Sequence, residues 1–245
     1  MRKSISPLNL AITTIFTALT CIVTVLFSVY VPATRGFFNV GESMVFLSAI
    51  LFGPLVGSFA GGVGSMLADL FLGYPYYAPA TLIIKACEGY VVGLLTKSKL
   101  PKFKSKLSWK LFTLILGITA GFLLTIIGIV YYTGQINLTL GSATFSFQVP
   151  SSFWVILGTL VTLTIAVLGL IVDPEFGWTI FSVLAGGFIM VIGYFIYQMF
   201  LIGPIFNIQV IAIAEIPINL GQMIIGALIA LPLSKIVLRV VPYLK

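Results

Sequence analysis

Apolar stretches long enough to cross a lipid bilayer recur through this chain and constrain its fold more than any motif. The clearest of these stretches extend from Leu8 to Val31, from Leu111 to Tyr132 and from Phe153 to Val172. A bilayer core about 30 Å thick needs on the order of 20 apolar residues per helix. Charged residues make up 8% of the 245 residues, whereas a soluble domain carries about 25%. The sequence therefore predicts an all-α integral membrane protein.

Eight transmembrane spans with short connections account for the apolar segments. We place seven of them at about Leu8–Val31, Ser43–Val56, Ala80–Thr96, Leu111–Tyr132, Phe153–Val172, Trp178–Leu201 and Val210–Leu238. The third span follows the second: the glycines at Gly57–Gly64 form a tight turn and the start of this span, which continues to about Leu72. The first run exceeds the roughly 7–15 residues of a signal-peptide core, which favours an uncleaved span. Apolar and polar residues alternate between Gln135 and Pro150, around Gly141 and Ser142, and this pattern predicts a small β-hairpin.

The basic residues predict the orientation of these spans. Six lysines lie between Lys97 and Lys110, and cytoplasmic loops carry the excess of Lys and Arg. With both termini in the cytoplasm, all of the 13 Lys and Arg residues except Arg35 and Lys85 fall on that side. We therefore expect a multi-pass protein of the plasma membrane in contact with lipid. The lysine-rich loop is interpreted as solvated, with no nucleic-acid partner.

The residue types present exclude several function classes. The chain has no histidine, so no imidazole ligand set exists for cobalt, nickel or zinc. Cys21 and Cys87 both lie in apolar runs, which favours packing over a disulfide. No phosphate-binding Gly-x-x-x-x-Gly-Lys-Ser/Thr loop occurs, and no paired nucleophile and base is evident. We expect no metal, no cofactor and no enzymatic activity.

Charged residues interrupt the three short apolar segments between Gly41 and Gly93. They are Glu42, Asp69, Lys85 and Glu88. An ionisable group in a lipid-embedded helix costs roughly 2.5–3.5 kcal/mol unless it faces a cavity or a partner. Lys85 and Glu88 are three residues apart on one helical face and can neutralise each other. A functional site and a structural ion pair both explain this pattern.

A second group of polar residues lies near the end of the chain. Glu215, Asn219 and Gln222 share one face of the last span, and Tyr194 and Gln198 lie near the outer end of the span before it. The predicted topology brings both groups into the outer leaflet, where they would line a pocket open to the outside. A network of polar contacts between helices is the alternative. The predicted substrate-binding residues are Asn39, Glu42, Asp69, Tyr74, Lys85, Glu88, Tyr194, Gln198, Glu215, Asn219 and Gln222, with Asn39 and Tyr74 closing the pocket from the loops.

Small side chains form a stripe along the first span. Ala11, Thr14, Ala18 and Cys21 recur at helical spacing, so another helix can approach closely. Packing within this chain and docking to another subunit remain alternatives for this stripe.

Three motifs resemble the substrate-binding S components of energy-coupling factor (ECF) vitamin transporters. They are FGPLVGSFAGGVGSMLADL at 52–70, TLIIKACEGYVVGLL at 81–95, and the pair GYFIYQ and EIPINLGQMIIGALIALPL at 193–198 and 215–233. The resemblance covers Leu8–Leu95 and Trp178–Leu238.

This resemblance implies a six-helix membrane fold, with its core at 8–97 and 178–240, that captures a water-soluble vitamin from outside. It also implies a transmembrane coupling protein and two ATP-binding subunits as partners. The small-residue stripe at Ala11, Thr14 and Ala18 would contact the coupling protein, although the family's usual second alanine is Thr14 here. The region at about 106–175 departs from the family pattern as an inserted helical hairpin.

The sequence does not determine the identity of the substrate. Tyrosines in the predicted outer turn at Gly73–Pro79 suit a planar ring such as a flavin or a pyrimidine, and Lys85 is able to meet a carboxylate or a phosphate. An ion-coupled secondary transporter of a small polar metabolite is the alternative function, with Asp69, Lys85, Glu88 and Glu215 coupling the ion.

Overall fold

The computed structural model describes residues 7–31, 35–98, 106–131, 133–140, 143–206 and 212–241. The helices are α1 (Pro7–Leu26), α2 (Glu42–Phe52), α3 (Pro54–Leu72), α4 (Ala78–Lys97), α5 (Lys106–Tyr131), α6 (Ser151–Ile171), α7 (Pro174–Tyr197), α8 (Gly203–Phe206) and α9 (Ala212–Val240). A π-helical segment, Gln198–Ile202, joins α7 to α8. The strands are β1 (Ser28–Val31), β2 (Gly36–Asn39), β3 (Gly134–Leu140) and β4 (Ala143–Val149).

The predicted class is confirmed, because the described residues contain seven helices long and apolar enough to cross a membrane. The second predicted span is shorter than expected. Its helix, α2, ends at Phe52, and 11 residues rising about 1.5 Å each extend only about 16 Å. Nine of these residues are buried, so α2 is enclosed by protein and does not need to reach both faces of a bilayer.

The first span also ends earlier than predicted at its C-terminus. The helix stops at Leu26, and Ser28–Val31 pairs antiparallel with Gly36–Asn39. We predicted helix as far as Val31 followed by a loop. The β-branched and aromatic residues of this segment favour an extended backbone. The hairpin predicted between Gln135 and Pro150 is present as β3 and β4, with Gly134 opposite Val149.

The chain folds as two compact units. The first comprises Met1–Leu100 and Trp178–Lys245, and the second, Pro101–Gly177, is inserted between these two segments. The core of the first unit gathers large side chains of α2, α7 and α9, among them Phe46, Met190 and Met223. The second unit is the antiparallel pair of α5 and α6 joined by the β3–β4 hairpin. Its two helices meet through small residues, since a Cβ on Gly121 would lie 2.3 Å from the carbonyl oxygen of Gly158.

The glycines at 57–64 do not form the predicted turn. The turn between α2 and α3 is at Gly53, whose φ of 87° suits glycine, and α3 already begins at Pro54. The glycines instead let neighbouring backbones approach. A Cβ on Gly61 would lie 2.9 Å from the carbonyl oxygen of Lys85, and one on Gly64 would lie 2.7 Å from that of Thr17. Helix α3 therefore packs directly against α4 on one side and α1 on another.

The contact between α3 and α4 generates a stability prediction. A Cβ on Gly89 would lie 2.2 Å from the carbonyl oxygen of Gly57, so Gly89→Ala forces two backbones apart. We expect the variant to lose about 1–3 kcal/mol of stability, as overpacked sites usually do. Thermal unfolding of the purified protein in detergent measures this loss. Gly203→Ala is the matched control, because nothing lies within 4 Å of that position and its φ is −58°. Equal melting temperatures for the two variants would show that the α3–α4 contact is loose.

Candidate functional site

Three charged side chains form a buried group, which we call the Lys85 triad, at the centre of the first unit. The Lys85 ammonium contacts Glu42 on α2 and lies 3.1 Å from Glu88 Oε2, one turn along α4. The side chains of all three residues are at most 4% exposed. The Lys85 Nζ also lies 2.7 Å from the Met190 sulfur of α7. The predicted pairing of Lys85 with Glu88 is present, and Glu42 adds a second carboxylate from another helix.

A small cavity lies beside this triad. Seven of the predicted substrate-binding residues line it, namely Asn39, Asp69, Lys85, Tyr194, Glu215, Asn219 and Gln222. The space open to the centre of a water molecule is about 40 Å³, and one water needs roughly 10–15 Å³ on this measure. The cavity as it stands therefore accommodates about three water molecules.

Four predicted residues do not line the cavity. Glu42 and Glu88 instead hold the Lys85 ammonium. Gln198 lies behind the wall, where its amide donates to the Tyr77 hydroxyl and, over 2.9 Å, to Glu215 Oε2. Tyr74 packs on the ring of Phe37 with 5.1 Å between centroids. These residues support the cavity from behind or from its mouth.

Six residues that the sequence interpretation missed complete the wall, and five of them carry a hydroxyl group or an aromatic ring. They are Thr24, Gly36, Phe37, Ser65, Tyr77 and Thr81. The Tyr194 hydroxyl donates to Thr81 Oγ1 over 2.9 Å, which joins α7 to the first turn of α4. Threonine and serine are frequent in membrane helices as packing residues, so no pattern in the sequence separates Thr24, Ser65 and Thr81 from Thr17 or Thr20. The aromatic turn at Gly73–Tyr77 was the one available indication for Tyr77.

Polar contacts connect the β1–β2 hairpin to α9 and to the turn between α3 and α4. The Asn39 backbone amide donates to Gln222 Oε1 over 2.8 Å, and the Asn39 side chain donates to the same oxygen. The Tyr76 hydroxyl donates to the carbonyl oxygen of Arg35 over 2.9 Å. Burial raises the pKa of Tyr76 above its usual range near 10, so this hydroxyl remains a donor at neutral pH. The hairpin is therefore held against α9 and the α3–α4 turn by a few polar contacts.

Two polar atoms of cavity-lining residues have no hydrogen-bond partner among the described residues. They are Asp69 Oδ2, an acceptor, and Asn219 Nδ2, a donor. Asp69 is 4% exposed and Asn219 is 1% exposed. A buried polar atom without a partner costs about 1–3 kcal/mol. These two atoms are therefore the places where a bound polar molecule gains most.

Comparison with known proteins gives two matches. The family model described as ECF-type riboflavin transporter, S component, matches residues 4–173. A 76-residue stretch is 53% identical to an uncharacterised protein of Pyrococcus woesei, described as lying in a gap 3′ region. That stretch is 31% of this chain and 51% of the relative, so the chain spans about half the length of the curated relative it matches.

The Lys85 triad generates a second stability prediction. Lys85→Met leaves Glu42 and Glu88 as buried carboxylates without a counter-charge, and breaking a buried ion pair in this way costs roughly 3–5 kcal/mol. We expect a marked fall in melting temperature, and a partial recovery when Glu88→Gln is added, because one of the unmatched charges is then gone. Lys106→Met, at an exposed position of α5, is the control and should change stability by no more than about 0.5 kcal/mol. A Lys85→Met protein as stable as the control would show that the triad is not a structural requirement.

Proposed function

Because the chain belongs to the family of ECF-type riboflavin transporter S components, we propose that it is the substrate-binding subunit of an ECF transporter. In this proposal it captures riboflavin, or a close flavin relative, from outside the cell. A transmembrane coupling protein and two ATP-binding subunits then supply the energy for uptake. The 245 residues hold no nucleotide-binding loop of the Gly-x-x-x-x-Gly-Lys-Ser/Thr type, which is consistent with energy from partner subunits.

The cavity beside the Lys85 triad is the observation that carries this proposal. Ligand sites are concave, with apolar and aromatic walls and a few placed polar groups. Phe37, Tyr77 and Tyr194 offer ring faces for a planar heterocycle. The unpartnered Asp69 Oδ2 and Asn219 Nδ2 supply one acceptor and one donor for the polar atoms of such a ring.

A tricyclic flavin needs more room than the cavity offers, so binding requires part of the wall to move. The β1–β2 hairpin is the candidate for this movement, since it is a short two-stranded element at the cavity whose contacts include those of Asn39 with Gln222 and of Arg35 with Tyr76. Asn39, Arg35 and Tyr76 are exposed or half-buried, and contacts at such positions open more readily than those of a fully buried core. We propose that the hairpin opens to admit the ligand and closes over it.

The direction of capture follows from the charges at the ends of two helices. Helix α4 carries Thr81 at the cavity and Lys97 at its other end, and α9 carries Glu215 at the cavity and Arg239 near its last residue. At about 1.5 Å per residue these pairs are roughly 24 Å and 36 Å apart along their helices. Since basic residues favour the cytoplasmic side, we propose that the cavity opens outward and that both termini are cytoplasmic.

The stripe on α1 is proposed as the contact with the coupling protein. Ala11, Thr14 and Ala18 are all exposed, whereas Thr17, Thr20 and Thr24 on another face are buried. Cys21, the fourth residue of the predicted stripe, is buried as well, so the exposed part of the stripe borders the face of α1 that packs on its own chain. On that face, a Cβ on Gly64 of α3 would lie 2.8 Å from the Thr20 Cβ. The exposed stripe of small side chains suits close approach by a partner helix.

Asn219→Ala tests the binding site. We expect the affinity for riboflavin to fall about five- to a hundred-fold, because the ligand atom that paired with the amide is left buried without a partner. Titration of the ligand-free protein, followed by quenching of riboflavin fluorescence or by calorimetry, measures the change. Asn9→Ala, at an exposed position of α1, is the matched control. Unchanged affinity in a folded Asn219→Ala protein would contradict the proposed site.

Ala18→Trp tests the partner contact. A bulky side chain on the stripe should hold a partner helix away, so we expect less coupling protein to co-purify and riboflavin uptake to fall, while riboflavin binding stays normal. Leu163→Trp, on an exposed part of α6, adds the same indole elsewhere and serves as control. Full co-purification of the Ala18→Trp protein would place the contact on another surface.

A further inference from the structure

The Lys85 triad joins one basic side chain to two acidic ones. The Lys85 ammonium contacts Glu42 and lies 3.1 Å from Glu88 Oε2. Both glutamate side chains are 0% exposed. If both were ionised, the triad would carry one negative charge in excess, buried inside the first unit. An uncompensated buried carboxylate is costly, so the triad lacks one positive charge.

The two carboxyl groups also lack a hydrogen-bond donor. Among the described residues, Glu42 Oε1 and Glu88 Oε1 have no hydrogen-bond partner. The two groups lie close enough to hydrogen-bond to each other, but ionised carboxylates are both acceptors. A carboxyl group that carries a proton becomes a donor. One proton would therefore supply both the missing donor and the missing positive charge.

The lysines and arginines of the neighbouring helices lie too far away to supply this charge. Helices α1, α2, α3 and α7 contain no Lys or Arg. Lys97 is nine residues beyond Glu88 on α4. Lys235 is nine residues beyond Gly226 of α9, where an added Cβ would lie 2.7 Å from the Glu42 Cβ. At about 1.5 Å per residue, each of these lysines lies roughly 13–14 Å further along its helix.

The other ionisable groups near the triad increase the excess of negative charge. They are Asp69 of α3, Tyr194 of α7 and Glu215 of α9, which line the adjoining cavity, and Arg35, which is exposed on the β1–β2 hairpin. Asp69 and Glu215 are acidic, and a neutral tyrosine adds no charge. The surroundings of the triad thus favour the uptake of a positive charge and provide none.

A metal ion is a poorer source of this charge than a proton. The described residues hold no group of three or more His, Cys, Asp or Glu side chains that could bind one. Ions such as Ca²⁺ and Mg²⁺ are held by about six or more oxygen ligands. A metal ion beside the Lys85 ammonium would also be repelled by it.

We propose that the Lys85 triad binds one proton, held between the carboxyl groups of Glu42 and Glu88, as a permanent part of the folded protein. Two carboxyl groups that share a site retain one proton, because like charges this close do not both ionise. The proton makes the triad neutral and joins α2 to α4 by a hydrogen bond. Neither glutamate lines the cavity, so the proposal goes beyond the proposed function and does not depend on the identity of the substrate.

Infrared spectroscopy of the purified protein, in a detergent without ester groups, detects this proton. The C=O stretching band of a protonated carboxyl group is separate from the bands of ionised carboxylates, and the chain has only six Asp and Glu residues. At pH 7 we expect such a band in the wild type and its loss in both Glu42→Gln and Glu88→Gln, because Lys85 neutralises the one carboxylate that remains. Asp173→Asn removes an exposed carboxyl group and, as the matched control, should keep the band.

Three outcomes of the infrared experiment would overturn the proposal. A wild type without the band would have both glutamates ionised. A band that survives in both variants would belong to another residue, such as Asp69. A band lost in only one variant would belong to a single carboxyl group and not to a shared proton. No substrate is used, so each outcome leaves the proposed function intact.

The pH dependence of stability is a second test and needs only Glu88→Gln. Glutamates of an unfolded chain are ionised at neutral pH, so folding takes up the shared proton. The unfolding equilibrium constant of the wild type should therefore rise by up to about tenfold per pH unit between about pH 6 and pH 9, relative to that of Glu88→Gln, which has no such proton to bind.

Melting temperatures in detergent measure this difference. We expect the wild type to lose stability relative to Glu88→Gln as the pH rises, and Asp173→Asn to follow the wild type. A difference between the wild type and Glu88→Gln that stays constant over this pH range would show that folding takes up no proton at the triad, and the proposal would be wrong.

Discussion

The contact of one buried ammonium with two carboxylates is the interaction on which the described core of the first unit depends. Lys85 of α4 reaches Glu42 of α2, stays beside Glu88 of its own helix, and touches the Met190 sulfur of α7. Three helices therefore meet at one side chain. Because a buried charge without its partner is costly, each of these helices is restricted to positions that keep the contact. The cavity wall, which Lys85 also lines, takes its position from the same constraint.

Close backbone packing makes this contact possible. A Cβ on Gly61 of α3 would lie 2.9 Å from the carbonyl oxygen of Lys85 itself, and one on Gly226 of α9 would lie 2.7 Å from the Glu42 Cβ. Larger residues at these positions would move α3 and α9 away from the triad. In a membrane, where the hydrophobic effect does not drive helices together, such small-residue contacts supply much of the attraction through van der Waals packing. The glycine-rich motif and the ionisable residues are thus parts of one arrangement.

Hydropathy and spacing predicted the seven long apolar helices, the β3–β4 hairpin and seven of the residues that line the cavity, because these follow largely from local chemistry. The glycines at 57–64 were misinterpreted as a turn, since a single sequence does not distinguish a glycine that bends the chain from one that admits a neighbouring helix. The pairing of Glu42 with Lys85 joins residues 43 positions apart, and no periodicity reports such a contact. Thr24, Ser65 and Thr81 were missed for the same reason, as only tertiary packing turns their hydroxyls toward one cavity. The assignment of these residues to a substrate remains a prediction.

The acidic character of the cavity follows from how a membrane protein can bury charge at all. An ionisable residue at membrane depth is tolerable where it faces a partner or a cavity that water can enter. Each of the five charged residues grouped here meets at least one of these two conditions. Lys85, Glu42 and Glu88 neutralise one another in part, whereas Asp69 and Glu215 line the cavity. Glu42 and Glu215 gain further from lying in the first turns of α2 and α9. The need to bury charge stably in a membrane therefore accounts for the position of these carboxylates beside the cavity.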